Sequence, residues 1–125
     1  MPRFVIQKHA ARTLHYDLRL EWDGVFKSWA VPKGLPEEPG VRRLALQVDD
    51  HSIEFGGFEG EIPAGQYGAG TIEMWDKGSY TLHDWTNNRI EVTLEGGRIA
   101  GRYVMIRFRR KGEREWLLWR EDPAS

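Results

Sequence analysis

The stretch Thr13-Leu14-His15-Tyr16-Asp17-Leu18-Arg19-Leu20-Glu21-Trp22 alternates in character with a period of two, and Asp23-Gly24 follows it directly. That period sends successive side chains to opposite faces of an extended chain. Leu14, Tyr16, Leu18, Leu20 and Trp22 fall on one face, and His15, Asp17, Arg19 and Glu21 on the other. Asp-Gly favours a two-residue hairpin turn, whose central residues need positive φ. Residues 25–31 then run back, and so tight a turn sets Trp22 opposite Val25, Arg19 opposite Ser28 and Asp17 opposite Ala30. The polar face of the first strand meets small neighbours there, which leaves space for something to bind.

The rest of the chain reads the same way. Fourteen glycines and six prolines punctuate short runs, and no stretch holds a 3.6-residue apolar stripe over three turns. Further strands are expected at 43–49, 71–75, 80–84, 90–95, 102–109 and 116–120. The fold class is therefore all-β, a compact antiparallel barrel of about eight strands with little helix. A barrel would give the polar faces somewhere to converge. At 125 residues, without repeat or linker, one domain spanning residues 1–125 is expected.

Composition narrows the chemistry. There is no cysteine, which excludes disulfides, thiolate metal sites and cysteine nucleophiles. Any metal must be held by His, Asp, Glu or water. Eighteen Lys plus Arg against 19 Asp plus Glu give a formal net charge of −1. That argues against the broad basic face of a general duplex binder and allows a small, focused positive site. Thirteen of the 18 cations are Arg, whose planar fork suits phosphate and carboxylate. The absence of cysteine, of an apolar leader and of any bilayer-length run fits a cytoplasmic location with no membrane contact.

Four histidines occur, and two sit in a pattern: His9, five residues, His15, one residue, Asp17. Alternation puts His15 and Asp17 on one face, ~7 Å apart along the strand. Two imidazoles and a carboxylate suit a divalent ion with positions left for water and substrate. Arg19 continues that face by one step, and a guanidinium beside an open metal site points to an anionic substrate. In 43–51, Leu44, Leu46 and Val48 alternate with Arg43, Ala45, Gln47, Asp49 and His51, so a second strand offers an Arg and a His from one face. Lys33, after the returning strand, is a third cation. A His-His-Asp metal group with an Arg-Arg-Lys-His anion group describes a phosphoester hydrolase.

Blander readings compete. An alternating charged face is most often the wet side of a sheet, and Arg42-Arg43 and Arg109-Arg110 also suit solvated edges. His83 has no comparable neighbours and reads as structural. The six Trp read as core and cross-strand packing. The loop 59–70 is glycine-rich but matches no phosphate-binding fingerprint; it would shape one rim of the site, with Gly56-Gly57 bending the chain after His51. Two other functions fit parts of the pattern. A non-haem iron oxygenase also uses two His and a carboxylate, but needs one Arg rather than several cations. A single-strand nucleic-acid-binding barrel would use Trp faces and needs no grouped His and Asp.

Five ordered motifs then carry a resemblance. Phe4-Val5-Ile6-Gln7-Lys8-His9, Leu14-His15-Tyr16-Asp17-Leu18-Arg19-Leu20, Lys27-Ser28-Trp29-Ala30-Val31-Pro32-Lys33-Gly34, Asp49-Asp50-His51 and Phe58-Glu59-Gly60-x-Ile62-Pro63-x-Gly65-x-Tyr67-Gly68-Ala69-Gly70 are similar to the 3′-phosphoesterase domain of bacterial ligase D. The resemblance implies a β-barrel that heals DNA 3′ ends with manganese. Such an enzyme removes a terminal ribonucleoside from a primer-template strand to leave a 3′-phosphate, then hydrolyses that phosphate to a 3′-hydroxyl. It implies His9, His15 and Asp17 as metal ligands, Arg19, Arg43 and His51 as phosphate-holding residues and Lys33 as another active-site cation. Gln7 and Asp49, inside the matching motifs, are further candidates. Mn²⁺ is the implied ion, and Co²⁺ and Zn²⁺ also suit such ligands. The partners implied are DNA or DNA/RNA 3′ ends, with separate ligase and polymerase repair proteins, because the chain resembles a stand-alone module. One departure concerns the phosphate: the family usually has a Tyr four residues after the active-site His, where this chain has Phe55, and Tyr67 is the candidate substitute.

Overall fold

The hairpin at Asp23-Gly24 forms in the register a two-residue turn dictates. Trp22 faces Val25, Arg19 faces Ser28 and Asp17 faces Ala30, with φ of 53° at Asp23 and 82° at Gly24. The computed structural model describes residues 1–66, 69–108 and 112–121, with Phe55 described by its backbone alone. Nine strands occur among them: β1 (Arg3–Ala10), β2 (Leu14–Trp22), β3 (Val25–Val31), β4 (Arg42–His51), β5 (Gly60–Ile62), β6 (Gly70–Trp85), β7 (Arg89–Gly96), β8 (Ala100–Arg107) and β9 (Glu115–Arg120). Pairing runs β1-β2-β3-β4-β9-β8-β7-β6, and β6 returns to β1, closing an eight-stranded antiparallel barrel. Short β5 adds to the free side of the first part of β6. There is no α-helix among the described residues; one 3₁₀ turn spans Phe55–Gly57.

Two expected strands, 71–75 and 80–84, are one strand of 16 residues. Gly78 allows the run to continue, because a Cβ there would stand 2.0 Å from the Glu95 carbonyl oxygen. The first part of β6 pairs with β5 and the last part with β7, while β1 runs along most of it. β8 ends at Arg107; the expected end at Arg109 lies outside the described residues. β1 was absent from the expected strands because Arg3–Ala10 does not alternate: Phe4, Val5, Ile6, Gln7 and His9 are all buried.

Apolar faces fill the barrel. Phe4, Ile6, Leu18, Leu20, Trp29, Val31, Tyr80, Tyr103, Trp116 and Leu118 form one buried cluster, with Trp29 and Trp116 edge to face at 5.9 Å. Tryptophan thus serves mainly as packing, as expected. On β4 the faces are the reverse of those its leucines suggest: Ala45 is fully buried, whereas Leu44 is 40% exposed. Ala45 lies opposite Trp116 and Gln47 opposite Trp29, so the two indoles occupy the interior a leucine would need.

The polar face of β2 points away from this core, so the polar faces do not converge inside the barrel. It is buried all the same, because residues 52–66 and Ala69 lie over it. Gln7 donates through Nε2 to the Phe58 carbonyl at 2.9 Å. Met74 N–H donates to Glu59 Oε2 at 3.0 Å. Gly56 sits so close to the Phe26 ring that a Cβ would approach within 2.2 Å.

Candidate metal and phosphate site

Antiparallel pairing puts His9 of β1 directly opposite His15 of β2, and Gln7 opposite Asp17. Because side chains at paired positions share a face, His9, His15 and Asp17 meet beneath the covering segment. His9 Nδ1 lies 3.2 Å from His15 Nε2 and 3.7 Å from Asp17 Oδ2, and His15 Nε2 lies 3.3 Å from Asp17 Oδ1. One ligand atom from each of the three falls within 4.8 Å of the others.

Backbone carbonyls orient both rings. His9 Nε2–H donates to the Ala69 carbonyl at 3.3 Å, and His15 Nδ1–H to the Thr13 carbonyl at 3.2 Å. Those bonds leave the lone pairs of His9 Nδ1 and His15 Nε2 facing each other beside a carboxylate. Three acceptor atoms that converge in this way require a proton or a cation between them. The His15 pKa is raised accordingly, chiefly by its hydrogen bond to Asp17, against the opposing effect of burial. The donor set fits a divalent ion bound by N and O.

Arg19 stands one step along β2 and is 3% exposed. Its Nε donates to Gln7 Oε1 at 2.6 Å, its Nη1 to Ser28 Oγ at 2.8 Å and to His51 Nδ1 at 2.7 Å, and its Nη2 lies 3.6 Å from Asp17 Oδ2. A guanidinium has no acceptor, so His51 accepts at Nδ1 and carries its hydrogen on Nε2. Burial and, next, the Arg19 charge both hold the His51 pKa below its ordinary value. Gln7 therefore connects Arg19 to the covering segment. Ser28, which the sequence marked only as small, is a partner of Arg19; its hydroxyl opposite an Arg was the available signal.

His51 reaches this face through an irregularity. On β3, Ser28 and Phe26 are two residues apart, but their β4 partners Val48 and His51 are three apart. This bulge reverses the alternation. Arg43 and His51 therefore do not share a face, contrary to the sequence pattern: Arg43 points with Ala45 and Gln47 toward the inside, and His51 points outward with Ser28. Arg43 instead lines a hollow of about 180 Å³ with Lys33, Tyr16, Gly34, Leu35, Glu37 and Trp75. This hollow lies where β2 and β4 begin, the end of the barrel nearest His15. Arg43 Nε is buried there without a hydrogen-bond partner among the described residues. Asp49 is exposed, with its carboxylate 3.4 Å from Arg114. Tyr67 lies outside the described residues, and His83 bonds Thr93 Oγ1 at 2.7 Å, away from the group.

Residues 7–107 match the family model of the DNA ligase D 3′-phosphoesterase domain. The chain is 51% identical over 121 residues to the multifunctional non-homologous end joining DNA repair protein LigD of Mycobacterium tuberculosis, covering 94% of this chain and 16% of the relative. It is 46% identical over 122 residues to the multifunctional non-homologous end joining protein LigD of Pseudomonas aeruginosa, with 93% of this chain and 14% of the relative covered. The corresponding protein of Mycolicibacterium smegmatis is 47% identical over 129 residues, with 94% and 16% covered. The chain thus spans about one-sixth of the length of these relatives.

Proposed function

Since the chain belongs to the family of DNA ligase D 3′-phosphoesterase domains, we propose that it is a divalent-metal-dependent hydrolase that heals DNA 3′ ends. It acts first as a phosphodiesterase: water adds to phosphorus, the P–O5′ bond of a 3′-terminal ribonucleoside breaks, and a 3′-phosphate is left. It then acts as a phosphomonoesterase, breaking the P–O3′ bond to give phosphate and a 3′-hydroxyl. The observation that carries this reading is the convergence of His9, His15 and Asp17 beside the Arg19–His51 pair.

In this reading His9 Nδ1, His15 Nε2 and the Asp17 carboxylate hold Mn²⁺, with Co²⁺ and Zn²⁺ as chemically equivalent choices. The bound ion supplies Lewis acidity toward a phosphoryl oxygen and eases ionisation of water. His51 donates its Nε2–H to the phosphoryl group, and Arg19 keeps it in that tautomer while adding positive charge. Arg43 and Lys33 contribute cations from the hollow at the end of the barrel nearest His15. Nothing in the arrangement favours dioxygen chemistry over hydrolysis, and the surplus of cations suits a phosphate.

The test is a labelled primer-template with a 3′-terminal ribonucleotide, incubated with and without Mn²⁺, in air and under argon. The expected result is successive 3′-phosphate and 3′-hydroxyl ends that need the metal and not oxygen. An unchanged strand with Mn²⁺ present overturns the reading, and a requirement for oxygen with Fe²⁺ would transfer it to the oxygenase class.

A further inference from the structure

Immediately beside Arg19 and His51 the outer face of the barrel changes character. Val5 lies opposite Arg19, and Phe26 opposite His51. Together with Ile53 and Met74 they line a groove of about 550 Å³ between β1, β6 and the covering segment. Phe26 forms its floor under Gly56. At the far side stand two cations. Lys77, opposite Val5 on β6, is exposed and lies two strands, ~10 Å, from Arg19. Arg3 is 57% exposed, 3.4 Å from Glu21 and 6.0 Å from the Phe26 ring centroid. The acidic lining residue, Glu59, is turned back to the backbone N–H of Met74.

We propose that this groove holds the primer strand, with the base adjoining the scissile phosphate against Val5, Ile53 and Met74 and the next internucleotide phosphate at Lys77. The inference rests on the 3′-end-healing reading and deepens it. The occupant follows from the charges. An apolar wall accepts any base, but a departing terminal nucleoside carries no further phosphate and has no use for cations beyond its base. The primer strand carries one at every step. Being present in both reactions, it would be held in the same way in each.

Two variants and one altered substrate test this. Lys77→Ala removes the exposed ammonium and Ile53→Ser the apolar wall, and neither residue belongs to the metal or Arg19–His51 groups. With the metal-loaded enzyme, Ile53→Ser should raise KM about tenfold on both 3′-ribonucleoside and 3′-phosphate ends. Lys77→Ala should flatten the dependence of log kcat/KM on log salt by ~0.7–0.9. A neutral methylphosphonate at the first internucleotide linkage should impair the wild type and cost Lys77→Ala nothing further. Effects confined to ribonucleoside removal would assign the groove to the departing nucleoside and overturn the proposal, as would unaltered kinetics in both variants. An inactive wild type on both ends would instead reject the functional reading beneath it.

Discussion

Nη1 of Arg19 lies 2.7 Å from Nδ1 of His51, and this contact settles which nitrogen of the imidazole carries its hydrogen. The same guanidinium reaches Gln7 and Ser28, so three directional bonds depend on a planar fork. Lysine keeps the charge but cannot reproduce that geometry. Arg19→Lys should lower kcat/KM on a 3′-phosphate end by about 10–100-fold, the equivalent of one lost charge-assisted bond. Manganese affinity, read by calorimetry, should be nearly intact. Wild-type turnover would show that Arg19 serves the fold alone.

The three convergent acceptors make a second prediction. His9→Ala, His15→Ala and Asp17→Ala should each weaken Mn²⁺ binding by more than about 100-fold while circular dichroism keeps the wild-type β signature. Chelation of the wild type should abolish both activities, and added Mn²⁺ should restore them. Retained manganese-dependent turnover in His15→Ala would remove that residue from the ligand set.

Phe55 opens the 3₁₀ turn over Phe26, four residues after His51. Phe55→Tyr adds the hydroxyl that the resemblance to the ligase D phosphoesterase family implies at this position. If that bond forms only in the transition state, ~1.4 kcal/mol raises kcat about tenfold; if it forms equally with bound substrate, KM falls and kcat stays. Unchanged kinetics on both kinds of end would mean that position 55 does not reach the phosphate.

Asp76 is a structural carboxylate, 7% exposed, that accepts the N–H groups of Gly97, Arg98 and Ile99 at 2.7–3.0 Å and so closes the β7–β8 turn. Asp76→Ala leaves those donors unmatched. Destabilisation of about 2–4 kcal/mol is expected, read as a lower urea midpoint at constant m. An unchanged midpoint would show that water replaces the carboxylate without loss.

Glu91 gives the acid limb of stability a source. Burial alone would raise its pKa, but hydrogen bonds from Arg89 and Arg102 outweigh burial and hold it below the ordinary 4.5. With a depressed folded value, the stabilisation is present above the unfolded pKa and is lost as pH falls through the folded one. Glu91→Gln should therefore narrow the gap between stabilities at pH 7 and pH 3. An equal gap in variant and wild type would place the acid sensitivity elsewhere.

What could be read from the chain follows from where alternation holds. β2 and β3 alternate cleanly around a tight turn, so their register and the shared face of His15, Asp17 and Arg19 were legible. β1 was not, because the covering segment buries its outer face and erases the contrast between its two sides. β4 misled for two reasons: Trp29 and Trp116 leave room only for Ala45, and the bulge before His51 reverses the pattern. That Arg43 and His51 part company depends on one extra residue between paired strands, which no periodicity displays. Nor could spacing reveal the carbonyls of Thr13 and Ala69, since any residue type supplies one.

His9 and His15 face each other across a single hairpin, and Asp17 lies one step further, so all three ligand candidates fall within nine consecutive residues. Bringing them together needs only a short loop closure, which costs little entropy even before the barrel assembles. An ion that binds this trio would thus have appreciable affinity for the unfolded chain as well. Thermal stabilisation by the metal should fall short of what its native-state affinity implies, and the same ion could seed the β1–β2 pairing early in folding.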